Sequence, residues 1–208
     1  MIDAAVAALR VGELAILPTD TVYGLAADAC DEAAVGRLYD AKGRGEQQPT
    51  ALVAATVELL LEAVPELHGR SETIVRTLLP GPYTLVLPNP ARRYPWLNRS
   101  GPDTIGVRVP ELDGPGRVVL ERVGAVAATS ANLAGGPDPR TLAEVPEELR
   151  TAAGAIVDGG ELPGAPSTVL DFSSPEPRVL RHGAAPAEQA LERVAAALAL
   201  PLAIRPDE

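Results

Sequence analysis

The sequence predicts an α/β layer fold whose sheet is mixed rather than purely parallel. Three observations carry this: short apolar strand-like runs alternate with helix-period segments, their spacing is irregular, and the links are rich in Pro and Gly, 21 and 19 in all. One domain spanning residues 1–208 is expected, and a hydrophobic share of 46% is ample for its core. With aromatics at only 3%, that core must be built from Ala, Val, Leu and Ile, with Trp96 and Phe172 as isolated large groups.

Taken in order, residues 2–10 have helical periodicity and Glu13 to Leu17 reads as a strand running into the turn "PTDT". Asp31 is an N-cap for a helix through Lys42, where Val35, Leu38, Tyr39 and Lys42 share one face and Gly43 stops the helix. Strands are expected at 51–54, 84–88, 104–109, 125–128, 155–157, 168–171 and 178–181. Helices are expected at 56–63, 71–79, 115–123, 141–150 and 186–199. The stretch from Pro88 to Asp103, rich in Pro, Arg and Asn, reads as a mobile loop, and Arg205 to Glu208 as a frayed tail.

Composition excludes several function classes. A net charge of −10 argues against a surface coated for nucleic acid or anionic membrane, although a local basic patch is compatible with it. Cys30 is the only cysteine, so no internal disulfide or CxxC knuckle can form, and a reducing cytoplasm is the expected setting. With His68 and His182 as the only imidazoles, no protein-built metal site is expected. Asp3 and the lack of a basic n-region argue against a secretory signal, and the apolar run Val194 to Ile204, broken by Pro201, is too short for a bilayer.

Lys42 is the only lysine among 18 basic residues; all the others are arginine. Retention of a compact ammonium where the chain otherwise uses a planar fork points to a phosphate oxygen or small carboxylate, against the plainer role of capping its helix C-terminus. Arg44 follows in "AKGRG", where two glycines allow close backbone approach to an anion. The GxxxxGK[ST], GxGxxG and GxSxG frames are absent. Three polar islands interrupt apolar strands: Thr104, Gly106 and Arg108 alternate in "TIGVRVP"; Thr129, Ser130 and Asn132 end "AVAATSAN"; Ser167 and Thr168 open "STVLD", with Arg181 following in "RVLRHG". Each alone reads as turn chemistry. Together, cations and small hydroxyls with no nucleophile and base pair suit polyanion binding and nucleotidyl transfer, where orientation and charge stabilisation do most of the work.

The ordered islands "LPTDTVYGLAADA", "YDAKGR", "PGPYTLVL", "TIGVRVP", "TSAN", "STVLD" and "VLRHG" resemble the YrdC/TsaC family of threonylcarbamoyl-AMP synthases, over residues 2–185, in its short single-domain form. The resemblance implies a twisted open mixed sheet flanked by helices around a concave basic cavity. It implies synthesis of threonylcarbamoyl-AMP and pyrophosphate from L-threonine, bicarbonate and ATP, for transfer by partner proteins to a tRNA adenosine. On the threonine side it implies Thr21, Tyr23, Arg108, Ser130 and Ser167; on the ATP side Lys42, Arg44, Gln48, Thr104, Asn132, Arg140 and Arg181, with Lys42 and Arg44 stabilising the departing pyrophosphate. Magnesium would be held mainly by the ATP phosphates. Departures from the family pattern are Gln48-Pro49 in place of Asn-Pro or Lys-Pro, Val53 where a histidine is common, and Arg140 where a small hydroxyl is common. Two rival readings are a tRNA or double-stranded RNA module without chemistry and a same-fold paralogue using another carbamoyl donor or nucleotide; the charge of −10 weakens the first.

Overall fold

The computed structural model describes residues 1–43 and 49–199; the expectations at Arg44, Gln48 and the 205–208 tail lie outside them. The chain runs α1 (Ile2–Arg10), β1 (Leu14–Pro18), β2 (Tyr23–Asp28), α2 (Glu32–Lys42), β3 (Ala51–Ala54), α3 (Val57–Ala63), α4 (Arg70–Leu78), β4 (Tyr83–Pro88) and β5 (Thr104–Arg108). It continues through α5 (Pro115–Val123), β6 (Ala125–Ser130), α6 (Glu147–Ala152), β7 (Ala153–Ile156), β8 (Thr168–Asp171), β9 (Arg178–Arg181) and α7 (Ala187–Ala199). The strands form one mixed sheet in the order β7-β1-β2-β6-β3-β5-β4-β8-β9. Parallel pairs are β1/β7, β3/β5 and β4/β8; the other neighbours are antiparallel.

Period-two alternation splits the strands between two layers. Leu25, Leu52, Leu85, Val107 and Leu170 point to one face, where α2, α3, α4 and α7 cover them. On the other face, Ala15, Leu17, Ala26, Val53 and Val126 meet α1 and α5, with Leu59 of α3 at the margin. Those two helices pack on each other and leave the β4, β5 and β8 part of that face without a helix. Half of one sheet face is therefore free to form a site.

Three expectations are corrected. No strand was expected at Tyr23–Asp28, because "YGLAAD" lacks β-branched residues; β2 is a strand through its partners, paired with β1 and β6 on both edges and buried on both faces. The helix expected at 141–150 is two pieces, a 3-10 turn Leu142–Glu144 and α6, separated at Val145 and Pro146, with Pro146 preceding the helix it cannot extend backwards. The Pro88–Asp103 stretch is tied down rather than loose: the buried Asn89 bonds Arg93 and Pro102 carbonyls, Trp96 donates to the Ala29 carbonyl at 2.9 Å, and a 3-10 turn spans Pro95–Leu97.

Candidate active site

The open half of the sheet holds a cavity of about 230 Å³. Its floor is made of the small, alternate residues of the strands: Gly24, Ala51, Thr84, Gly106 and Ala128. Because every second side chain there is short, the sheet surface itself becomes a depression. Two arginines, Arg108 and Arg181, stand on its wall with Thr21, Ser130 and Ser167. Five residues nominated from sequence are thus brought to one place.

The loop between β1 and β2, Thr19 to Val22, explains the polar turn. The Thr19 hydroxyl accepts from the Thr21 and Val22 amides and donates to the Val22 carbonyl at 2.7 Å, an ST turn. With that proton committed, Thr21 donates its own to Thr19 across 3.1 Å and accepts from Arg108 Nη2 at 2.8 Å. Asp20 closes the set: one carboxylate oxygen accepts from Arg108 Nη2, and the other from the Glu111 amide at 3.0 Å. The ion pair is buried, its side chains 10% and 8% exposed, so it is screened little and holds the guanidinium in one orientation. Arg108 Nε, also buried, has no partner among the described residues. The sequence drew attention to the PTDT turn as a whole and gave Thr19 and Asp20 no roles of their own; the signal available was their place beside Thr21.

Arg181 faces this pair from β9. Its Nε and Nη2 donate to the Ser167 carbonyl at 3.0 and 2.8 Å, and Ser167 Oγ meets Thr84 Oγ1 at 2.8 Å. Burial lowers the guanidinium's affinity for its proton, Asp138 opposes this, and repulsion from Arg108 adds to it. Two cations thus feel each other across the cavity, and an anion placed between them relieves the repulsion.

The remaining nominees support the wall rather than line it. Lys42 is buried at the end of α2, where its ammonium donates to the Ser130 carbonyl at 2.6 Å, to Asn132 Oδ1 at 2.7 Å and to the Asn132 carbonyl. Asn132 Oδ1 also accepts from Ser130 Oγ at 2.7 Å, and its amide donates to Gly136 O. This network fixes the turn that ends β6. Tyr23, fully buried, points away from the cavity: its hydroxyl donates to Gly160 O and accepts from the Gly159 amide, with Asp158 beside it. Burial pushes that phenol above its ordinary value. Thr104 accepts from Asn98, which does line the cavity, and Arg140 turns outward to Glu161 while its Nε reaches Leu162 O. Among the described residues no group of three or more His, Cys, Asp and Glu is placed to hold a metal, and no helix is long and apolar enough to cross a membrane.

A mixed sheet with one half-open face, floored by small residues and walled by arginines and hydroxyls, defines an α/β protein built around a polar cavity. The chain belongs to the Sua5_yciO_yrdC family, described as Telomere recombination, whose model matches residues 7–183. It is similar to the threonylcarbamoyl-AMP synthase of Pyrococcus abyssi (strain GE5 / Orsay), 37% identical over 187 residues, which are 89% of this chain and 54% of that one. A protein of the same name from Halorhodospira halophila (strain DSM 244 / SL1) is 35% identical over 155 residues, covering 74% of this chain and 81% of that one. Among solved structures, P. abyssi Sua5 complexed with L-threonine matches with a TM-score of 0.83 at 37% identity, over 93% of this chain and 56% of that one. The chain therefore spans about half the length of the Pyrococcus relative.

Proposed function

We propose that the chain makes threonylcarbamoyl-AMP and pyrophosphate from L-threonine, bicarbonate and ATP in this cavity, in the cytoplasm. The observation that carries the reading is Arg108: a guanidinium aligned by Asp20 and Thr21 on the cavity wall, with one buried N–H still unpartnered. Its fork matches an amino-acid carboxylate, and a relative with 37% identity is a complex with L-threonine. The Halorhodospira protein supports the activity at this chain length, since most of it is matched.

In this reading Arg108 receives the threonine carboxylate, with Thr21, Ser130 and Ser167 on the amino-acid side. Arg181 provides charge on the nucleotide side, joined by Lys42, Asn132 and the flanking Arg44 and Gln48. Tyr23, Thr104 and Arg140 brace the loops that border the two halves. The threonine amine takes carbon from bicarbonate, releasing water, to form a carbamate. A carbamate oxygen then attacks the α-phosphorus, and cleavage of the bridge to the β-phosphorus expels pyrophosphate. The chain contributes orientation and positive charge, and no protein nucleophile is needed. Asp20, the carboxylate that orients Arg108, is already taken by Arg108 and the Glu111 amide, so magnesium belongs with the ATP phosphates it neutralises. Partner proteins would pass the threonylcarbamoyl group to a tRNA adenosine; at a net charge of −10, any contact of this chain with tRNA itself would be weak and local.

The test is pyrophosphate release from ATP. It should require threonine and bicarbonate together; release that is indifferent to threonine would instead favour a paralogue with another acceptor.

A further inference from the structure

Two buried side-chain polar atoms lack a hydrogen-bond partner among the described residues: Arg108 Nε and Thr50 Oγ1. Both residues line the same cavity. Sealed polar atoms without partners are uncommon because they lose water and gain nothing in return. When the only two fall on one cavity wall, a ligand that completes them is the economical cause. Arg108 already has a role in the proposed reaction. Thr50, 2% exposed, has none.

Register places Thr50 at the opposite end from Arg108. Val53 pairs with Arg108 across β3 and β5, and Thr50 lies three residues earlier, about 10 Å along an extended chain. At that end the Thr50 amide donates to the Leu97 carbonyl at 2.9 Å, which brings it beside Asn98, itself on the cavity wall and bonded to Thr104. Of these, Thr104 is the residue that the family resemblance assigns to the ATP side, and the loop it braces borders that half. Thr50 also lines the cavity, and one rotamer step about χ1 carries its hydroxyl to the place its methyl now holds.

We infer that the Thr50 hydroxyl is a nucleotide contact, hydrogen-bonding a polar atom of bound ATP at the end of the cavity remote from Arg108. The inference rests on the reading above for the identity of the nucleotide. A hydroxyl kept at a cost in the free protein is best explained by a partner that arrives with substrate.

Thr50→Val tests it, because the shape is kept and only the hydroxyl is lost. In the free protein a sealed, unpartnered hydroxyl is removed, so the melting temperature stays level or rises. ATP affinity, measured by equilibrium titration followed through the fluorescence of Trp96, and KM for ATP should weaken about three- to tenfold. KM for threonine should hold, and Thr50→Ser should restore ATP binding. Unchanged ATP affinity in Thr50→Val overturns the inference. So does a fall in melting temperature, which would mark a structural hydroxyl, or a change in threonine KM alone, which would place the contact on the wrong half. ATP titration needs no turnover, so an inactive wild-type chain that still binds ATP through Thr50 would sink the proposed reaction and leave this contact standing.

Discussion

Lys42 was the residue that stood out most in the sequence, and the structure gives it a second meaning. The bias against lysine points to an ammonium with a specific job; among the described residues it donates to three oxygens of the turn Ser130 to Asn132. An arginine fork is too long and too flat for that enclosed corner. Lys42→Met takes away the donor those buried oxygens share, leaving Asn132 Oδ1 only the Ser130 hydroxyl, and should cost on the order of 2–4 kcal/mol in denaturant unfolding besides abolishing turnover. Lys42→Arg should weaken both less. An unchanged unfolding midpoint in Lys42→Met would show that the network does not hold the turn. Asp171 offers a residue-scale prediction in pH. Burial raises its carboxyl, but hydrogen bonds from the Ser173 side chain and amide and from Arg178 outweigh that, and the net shift is below the ordinary value of 3.8. A depressed carboxyl stabilises the fold above its unfolded value and loses that contribution as pH falls through the folded one. The stabilisation is therefore complete at neutral pH and disappears only below about 3.8. Asp171→Asn should flatten the acid limb of the stability profile and leave the neutral-to-alkaline limb parallel to wild type.

At the scale of elements, the helices were largely legible because their signals are local. Asp31 caps α2 by accepting from the Ala33 amide at 2.8 Å, and Gly43 ends it in the left-handed conformation at φ 60. Asp31→Ala should lower stability by about 1 kcal/mol in chemical denaturation, since α2 delivers Lys42 to its turn. The strands were legible where β-branched residues alternate, and β2 was not, because pairing on both edges overrides a poor local propensity. Site legibility divides in the same way. Arg108 and Ser130 sit at strand positions whose facing follows from alternation, and Thr19 makes a local turn, whereas the role of Asp20 arises from a contact 88 residues away in sequence that no local pattern encodes. Tyr23 shows the converse, since its neighbours in the motif face the cavity while the phenol is drawn to the 158–160 loop. Gly106 links element to function. A Cβ there would meet Ala51 Cα at 3.7 Å and Thr84 Cγ2 at 4.0 Å, ordinary contact distances, so alanine fits the strand. Gly106→Ala should leave the melting temperature within a few degrees of wild type while raising KM for substrate severalfold by adding a methyl to the cavity floor; a wild-type KM would mean that ligand does not rest there.

Across the whole molecule, one asymmetry organises the rest. Four helices cover one face of the sheet, and α1 and α5 cover only part of the other, so the exposed strands are lined with residues too small to fill the gap. Two arginines stand on the wall of that gap, Arg108 already paired with Asp20 and Arg181 held by the Ser167 carbonyl. The aromatic-poor composition is consistent with this construction, because large rings on that face would fill the cavity. A net charge of −10 argues against a surface coated for a nucleic-acid duplex.

The central claim is that Arg108 holds the carboxylate of threonine while ATP is attacked in the same cavity. Pyrophosphate release by the unmodified chain, supplied with ATP, bicarbonate and either L-threonine or L-threoninamide, tests it most directly. The account predicts turnover with threonine and a kcat/KM at least about tenfold lower with the amide, whose neutral head forfeits a charge-assisted pair. Equal rates with the two, or release with neither present, would contradict it.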